Sequence, residues 1–426
     1  MKGSRRNRQA AGRTNSLQSG DVDASKNASG AVPTDDADTS SGKGGGVAPA
    51  GNSHGSKPRE ANASDSNAPN SNAPNSNGWR RRRGANKSPD QPVYAALDLG
   101  TNNCRLLIAR PTRRGFQVID AFSRIIRLGE GVSVAGYLSD DAIDRTMDAL
   151  RVCASKMVRN NVTRSQLVAT EACRAASNGT AFIERVRRDI GMDLKVLSQE
   201  IEAQLAVSGC ATLIDEGCDH ALVFDIGGGS SELIWLDVAK RRRDQAMASC
   251  NERLDPTGCI EAWTSLPIGV VSLAEKFGGK HVQPQDFEDM VNWVAGLIKP
   301  FEDKYKFRER ISEGRVHFLG TSGTVTTVAG IQLRLPKYDR RRVDGCWLNC
   351  TEVRKVTYDL LEQTYEQRVA QPCIGRDRAD LVLAGCAILE ALMRTWPTKR
   401  LRVADRGLRE GMLTNMMAED GFYSKA

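Results

Sequence analysis

No two cysteines of this sequence form a CxxC pair, and no histidine lies near the closest couple, Cys346 and Cys350. Zinc-site spacings are therefore excluded. The eleven cysteines are scattered and odd in number. That predicts reduced, mostly buried thiols in a cytoplasmic protein rather than a disulfide framework. No apolar run approaches the ~18 residues that span a membrane, so no membrane partner is expected. The basic N-terminus is not followed by the apolar segment of a secretory leader. Aromatic residues make up only 5% of the chain, and the first 92 residues hold a single one, Trp79. That segment is rich in Ser, Asn, Gly, Ala and Asp, and Ser71–Asn75 repeats Ser66–Asn70. It has too little apolar surface to offset chain entropy, which predicts a disordered, low-complexity tail over 1–92. The remaining ~330 residues suffice for two domains.

The charge is uneven. Residues 1–92 carry 14 Lys/Arg against 8 Asp/Glu, so +6 of the chain's +8 sits in the tail. Its sharpest feature is Trp79 followed by Arg80–Arg83. Such a run either contacts an anionic polymer or stays solvated and keeps a linker extended. Nothing in the chain reads as specific nucleic-acid recognition.

The rest of the chain repeats itself at domain scale. Val93–Asp98 is an apolar run ending in a carboxylate, followed by a glycine turn and a second run over 104–109, which predicts an antiparallel hairpin. A third strand (116–126), a helix (139–158), a strand (167–169), a helix (180–190), a strand (194–197) and a helix (198–214) follow, in the order βββαβαβα. Ala221–Asp225 is again an apolar run ending in Asp, turned by Gly227–Ser231 into a strand over 232–236. Further strands are expected at 261–266, 316–319 and 401–404. Helices are expected at 287–305, after Gly320, at 353–366, at 378–394 and up to about Met417. This doubled unit predicts an α/β fold of two ribonuclease H-like domains, of the actin, sugar-kinase and Hsp70 ATPase type, with an active-site cleft between them. The expected boundaries are 93–217 and 218–418, with a short C-terminal tail over 419–426.

The two turns, Asp98-Leu99-Gly100-Thr101-Asn102-Asn103 and Asp225-Ile226-Gly227-Gly228-Gly229-Ser230-Ser231, carry the chemistry. Glycines let successive backbone N–H groups curl toward one anion, and Thr101, Ser230 and Ser231 add hydroxyl donors. Asp98 and Asp225 beside such phosphate sites make sense as Mg²⁺ ligands, direct or through water. One Asp-Gly turn is ordinary hairpin chemistry; two at equivalent places in a repeat point to phosphate. Gly320-Thr321-Ser322-Gly323-Thr324 opens a helix after a strand, where free N–H groups form a third anion site or merely a cap.

Five runs stand in the order found in the exopolyphosphatase/guanosine pentaphosphate phosphohydrolase family. They are Ala96–Asn102, Ala169–Arg174, Ser198–Ala203, Phe224–Glu232 and Arg406–Gly411. The sequence resembles that family over about 93–415. The resemblance implies Mg²⁺-dependent release of a terminal phosphate from inorganic polyphosphate or guanosine pentaphosphate. It implies that Glu202 is the general base, that Asp225 and Glu232 hold the metal and position water, and that Arg174 and Arg105 clamp phosphate. Glu171, Glu184 and Glu200 are the other nearby acids. Of these, Glu200 lies about 200° from Glu202 on a helix, so only one of the two can face the cleft. Gln199, Gln204 and Asn103 replace the Gly, Arg and Ser usual in the family. Longer members carry an additional helical domain, so long-chain processivity stays open, as does the oligomeric state, a homodimer included. Two other functions compete. A small-molecule kinase would need an acceptor pocket and an adenosine site; a non-catalytic sensor of guanosine tetraphosphate or polyphosphate has no need of a base.

Overall fold

The computed structural model describes residues 91–113, 115–247 and 256–422. The disordered tail expected over 1–92 lies outside these residues, save for 91 and 92. Strands β1 (Tyr94–Leu99), β2 (Asn103–Thr112), β3 (Gly115–Ile125), β4 (Arg164–Ala169) and β5 (Lys195–Val196) form one sheet in the order β3-β2-β1-β4-β5. Strands β6 (His220–Ile226), β7 (Ser231–Asp237), β8 (Ile260–Leu266), β9 (Val316–Thr321), β10 (Trp347–Asn349) and β11 (Arg400–Ala404) form the other, β10-β11-β9-β6-β7-β8. The central hairpins repeat in topology. β1 pairs antiparallel with β2 and parallel with β4, just as β6 pairs antiparallel with β7 and parallel with β9. This is the doubled α/β fold expected from the sequence.

Both central strands are buried on two faces, and the period-two alternation of side chains sorts them into different cores. On β1, Ala95, Leu97 and Leu99 face a core that includes Met147 and Leu150 of the Asp140–Arg159 helix. Tyr94 and Ala96 face Met412, Leu413, Met416 and Met417 of the final helix, Leu408–Glu419. On β6, Leu222, Phe224 and Ile226 join the largest core, while Ala221 and Val223 pack on Ala203, Val207 and Cys210 of the Gln199–Cys210 helix. The coverings are exchanged. The helix that follows the first sheet in sequence covers the second, and the last helix of the chain returns to cover the first.

Several local expectations change. β10 is not foreseen from sequence, because a three-residue strand has no periodicity to read. Nor is the Val270–Phe277 helix, which follows β8 after three residues. The helix expected over 353–366 is Cys350–Leu361, and a separate short helix, Tyr365–Ala370, starts at Thr364. There Thr364 and Gln367 form a reciprocal cap, with Gln367 N donating to Thr364 Oγ1 at 3.3 Å and Thr364 N to Gln367 Oε1 at 2.7 Å. The helix expected from 378 begins at Val382, which frees Arg378 and Asp380 for other contacts. The final helix runs to Glu419. Asp420 beyond it accepts hydrogen bonds from Tyr94 Oη and Arg164, so the expected C-terminal tail is in part tied down. Cys104, Cys153, Cys173, Cys210, Cys218, Cys346, Cys350, Cys373 and Cys386 are free thiols. Among the described residues no helix is long and apolar enough to cross a membrane.

Candidate active site

The two glycine turns close with the same hydrogen bond. Gly100 N donates to Asn103 O and Gly227 N to Ser230 O, each at 2.9 Å. Strand register then fixes the residues beside them. Asp98 lies opposite Arg105, and Asp225 lies opposite Glu232 at the equivalent place. The turns press on each other. A Cβ on Gly228 would stand 2.9 Å from Thr101 Cβ, and one on Gly229 would stand 2.9 Å from Thr101 Oγ1 and Glu171 Cγ. Neither glycine has positive φ. This corrects the reason expected for them: glycine is required here by close approach, not by a left-handed backbone. The backbone strain sits in the third loop instead, where Ser322 has φ 133°. Its hydroxyl accepts from Thr324 N at 3.2 Å and Val325 N at 3.4 Å. Two of the N–H groups expected to be free for an anion are thus capped by the protein itself.

One cavity of about 150 Å³ gathers most of the residues anticipated from sequence. Gly100, Thr101, Asn102, Asn103 and Arg105 come from the first turn, and Gly227, Gly228, Gly229 and Ser230 from the second. Asp98, Asp225, Glu202, Glu232, Ser322 and Gly323 complete that set. Four anticipated residues lie elsewhere. Ser231 Oγ donates to Ile268 O at 2.8 Å, away from the cavity. Gly320 is a packing position, since a Cβ there would meet the Phe224 ring at 2.6 Å. Thr321 donates to Arg406 O at 3.1 Å and lines an adjoining cavity. Arg174 is not on the cavity wall. Its guanidinium donates to Leu197 O at 2.6 Å, to Glu171 Oε2 at 2.5 and 3.0 Å, and to Glu202 Oε2 at 3.3 Å. The guanidinium expected to clamp phosphate here grips two glutamates.

Glu202 enters from the first turn of the Gln199–Cys210 helix, whose start is capped by Ser198 Oγ accepting from Ile201 N at 3.3 Å. Glu200 and Glu184 are both exposed, and neither lines a described cavity. The helix is placed by two glycines. A Cβ on Gly209 would stand 1.9 Å from Gly407 O, and one on Gly411 would stand 2.2 Å from Leu205 O. The helix bearing Glu202 and the final helix thus touch backbone to backbone.

Acids crowd this cavity. Burial, reinforced by the charges of Glu232, Asp98 and Asp225, pushes Glu202 up to about 9 against the pull of Arg174. Burial, with Glu232 and Asp98, pushes Asp225 up to about 7 against Arg105. Burial also raises Asp98 and Glu232, the latter despite hydrogen bonds from Ser230 Oγ at 2.8 Å and Ser265 Oγ at 2.9 Å. Carboxylates that resist ionising together are a signature of a site that takes cationic charge or moves protons. Asn102 Oδ1 and Asn103 Oδ1 are buried without a hydrogen-bond partner. Among the described residues no three His, Cys, Asp or Glu side chains converge into a metal cage. Sequence reasoning missed Arg378, Thr327 and Leu381 on the wall and treated Glu171 only as a rival base. Glu171 had a visible signal, as an acid in the Ala169–Arg174 run; Arg378 had none.

A profile of the Ppx/GppA phosphatase family matches residues 107–420. A guanosine-5'-triphosphate,3'-diphosphate pyrophosphatase of Photobacterium profundum is 26% identical over 334 residues, 78% of this chain. The chain spans 61% of that relative's length. The crystal structure of an Aquifex aeolicus Ppx/GppA family member is 27% identical with a TM-score of 0.61, covering 77% of this chain and 98% of that one. An exopolyphosphatase from Cytophaga hutchinsonii shares the fold, with a TM-score of 0.65 at 23% identity over 78% of this chain and all of that one.

Proposed function

We propose, from the premise that this chain belongs to the Ppx/GppA phosphatase family, that it is a Mg²⁺-dependent phosphohydrolase. It releases terminal orthophosphate from inorganic polyphosphate, guanosine pentaphosphate or both. The observation that carries this reading is the single cavity that joins both glycine turns, the Asp98 and Asp225 strand ends and Glu202. Phosphoryl transfer to water asks for positioning and charge neutralisation more than for covalent chemistry.

In this reading the turns seat the terminal phosphate through backbone N–H groups and the Thr101 and Ser230 hydroxyls. Glu202 orients the attacking water and takes its proton, so that a new P–O bond forms as the bridging P–O bond breaks. Arg174 holds Glu202 in place and is itself held by Glu171 and Leu197 O. The donor set fits a hard cation: carboxylate oxygens of raised basicity and two orphaned amide oxygens. With no closed cage of protein ligands, one or two of Asp98, Asp225 and Glu232 would hold Mg²⁺, together with waters and substrate oxygens. When bound, Mg²⁺ supplies positive charge that favours ionised carboxylates here and neutralises phosphate oxygens.

The test is orthophosphate release from polyphosphate, guanosine pentaphosphate and ATP, each with and without Mg²⁺. Release from one of the first two, lost on chelation, is expected. Phosphate transfer only to an organic acceptor would replace this reading with a kinase. Tight binding without turnover would replace it with a sensor.

A further inference from the structure

Five acids among the described residues line the catalytic cavity. Four have a place in the chemistry above: Asp98, Asp225 and Glu232 toward the cation, and Glu202 toward the proton. Glu171 is the fifth. It opens the short helix Glu171–Ala175 directly after β4. Backbone contacts fix that helix at both ends. Thr170 N donates to Leu99 O at 3.1 Å, at the foot of the first turn. At the other end, a Cβ on Gly179 would stand 2.0 Å from Cys173 O. The Glu171 stem lies where the two glycine turns meet, since a Cβ on Gly229 would stand 2.9 Å from both Glu171 Cγ and Thr101 Oγ1. The carboxylate is thus held by packing on rigid elements beside the phosphate seat, the mounting that a working group requires.

Arg174 stands three residues further on, on the same face of that helix. A guanidinium has five N–H groups, and here all of them are taken. Nε donates to Glu171 Oε2 at 3.0 Å. Nη2 donates to Glu171 Oε2 at 2.5 Å and to Glu202 Oε2 at 3.3 Å. Nη1 donates to Leu197 O at 2.6 Å and to Glu202 Oε2 at 3.3 Å. The short contacts go to Glu171 and to Leu197, one residue before the cap of the helix that bears Glu202. The long contacts go to Glu202 itself. Glu171 and Leu197 therefore set where the guanidinium lies, and Glu202 meets it there. No N–H is left over for a phosphate oxygen, and the Glu171 carboxylate offsets the positive charge that would attract one.

We infer, on the phosphohydrolase reading above with Glu202 as the base, that Glu171 is a positioning residue that holds the Arg174 guanidinium on Glu202 and off the substrate. Glu171 acts through Arg174, so its removal has two opposite effects. A guanidinium freed from Glu171 turns to the phosphate in the cavity, which carries more negative charge than Glu202, and binding tightens. The same movement loosens Glu202, and the attacking water is less well placed. Turnover thus falls while affinity rises.

The test is made on the full chain at saturating Mg²⁺ with two readouts: kcat and KM for orthophosphate release from tripolyphosphate, and the Kd of inorganic phosphate by calorimetry. The variants are Glu171→Gln, Arg174→Gln and the two together. Glu184→Gln serves as control, the same chemical change at an exposed position of the Gly179–Ile190 helix. In Glu171→Gln, kcat should fall about tenfold while KM and Kd each fall about threefold. In the Arg174→Gln background, adding Glu171→Gln should change none of the three by more than about twofold, because the residue through which Glu171 acts is gone. A KM and Kd that rise or stay put in Glu171→Gln overturn the positioning role, as does an undiminished effect in the Arg174→Gln background or an equal effect in the control. A higher Mg²⁺ requirement in Glu171→Gln with unchanged Kd for phosphate overturns it in favour of a metal ligand. No release from tripolyphosphate or guanosine pentaphosphate by the unmodified chain overturns the phosphohydrolase reading instead, and phosphate binding still reports whether Glu171 restrains Arg174.

Discussion

Replacing Glu202 by Gln tests the centre of the mechanism on three readouts. The amide keeps the size of the side chain and its hydrogen bond with Arg174 but removes the base. A fall in kcat of roughly 10²–10⁴ with little change in KM is expected, the range for losing a general base. The pH dependence is more specific. Burial and the charge of Glu232 hold Glu202 well above its ordinary value, so the ionised form is the minor one at pH 7 without a cation. Activity at limiting Mg²⁺ should therefore climb about tenfold per pH unit through neutrality. Saturating Mg²⁺ should move that rise to lower pH, and Glu202→Gln should flatten it. Stability moves in the opposite sense. A carboxyl whose folded value lies above its ordinary 4.5 contributes stability that is complete below about pH 4.5 and is lost as pH rises toward 9. The variant escapes that loss, so its unfolding free energy should exceed the parent's at pH 8 and match it at pH 4. Stopped and continuous phosphate assays, together with thermal melts across pH, read all three. Undiminished turnover in Glu202→Gln, with Glu200→Gln the damaging change, would refute the assignment of the base.

Other outcomes follow from the same geometry. Gly228→Val should abolish turnover in a folded protein, because its side chain would collide with Thr101 and with Asn102 N, 2.9 and 3.2 Å from the new Cβ; unchanged substrate affinity would remove the second turn from the phosphate site. Gly411→Ala should lower kcat and cost about 1–3 kcal/mol in chemical denaturation, since the added Cβ meets Leu205 O at 2.2 Å and must push away the helix that carries Glu202. Mg²⁺ should raise the melting temperature more at pH 8 than at pH 5.5, because the Asp225 carboxyl, raised to about 7, is neutral at the lower pH and offers less to a cation; an equal shift at both would mean the cation binds elsewhere. Arg127 donates to both Asp380 oxygens, at 2.7 and 2.9 Å. A double-mutant cycle with Ala at both positions should return a coupling of about 1 kcal/mol in denaturant titrations, modest because the pair is partly exposed.

Much of the molecule was legible in one dimension because its signals are local. Asp98 and Asp225 each end an apolar run and precede a glycine turn, and strand geometry then places each beside its turn wherever the chain goes next. Helix geometry allows only one of Glu200 and Glu202 to face the cleft, and the resemblance of Glu202-Ala203 to the family's Glu-Ala pair favoured Glu202. The Val270–Phe277 helix and β10 escaped, the first for want of a start signal and the second for want of length.

The sequence alone determined the doubled α/β unit, the two acid-led turns and the helix bearing Glu202, since each depends on residues a few positions apart. Tertiary structure decided the rest. It exchanged the two covering helices, set Gly209 and Gly411 against carbonyl oxygens, set Arg174 against Glu171 and Glu202, and gathered Arg105, Arg376, Arg378 and Arg409 around one cavity. The Gly209 and Gly411 contacts, the return of the last helix to the first sheet and the arginine-lined cavity join distant stretches of the chain, and no periodicity encodes them. They arise only when burying both faces of two sheets forces distant backbones into contact.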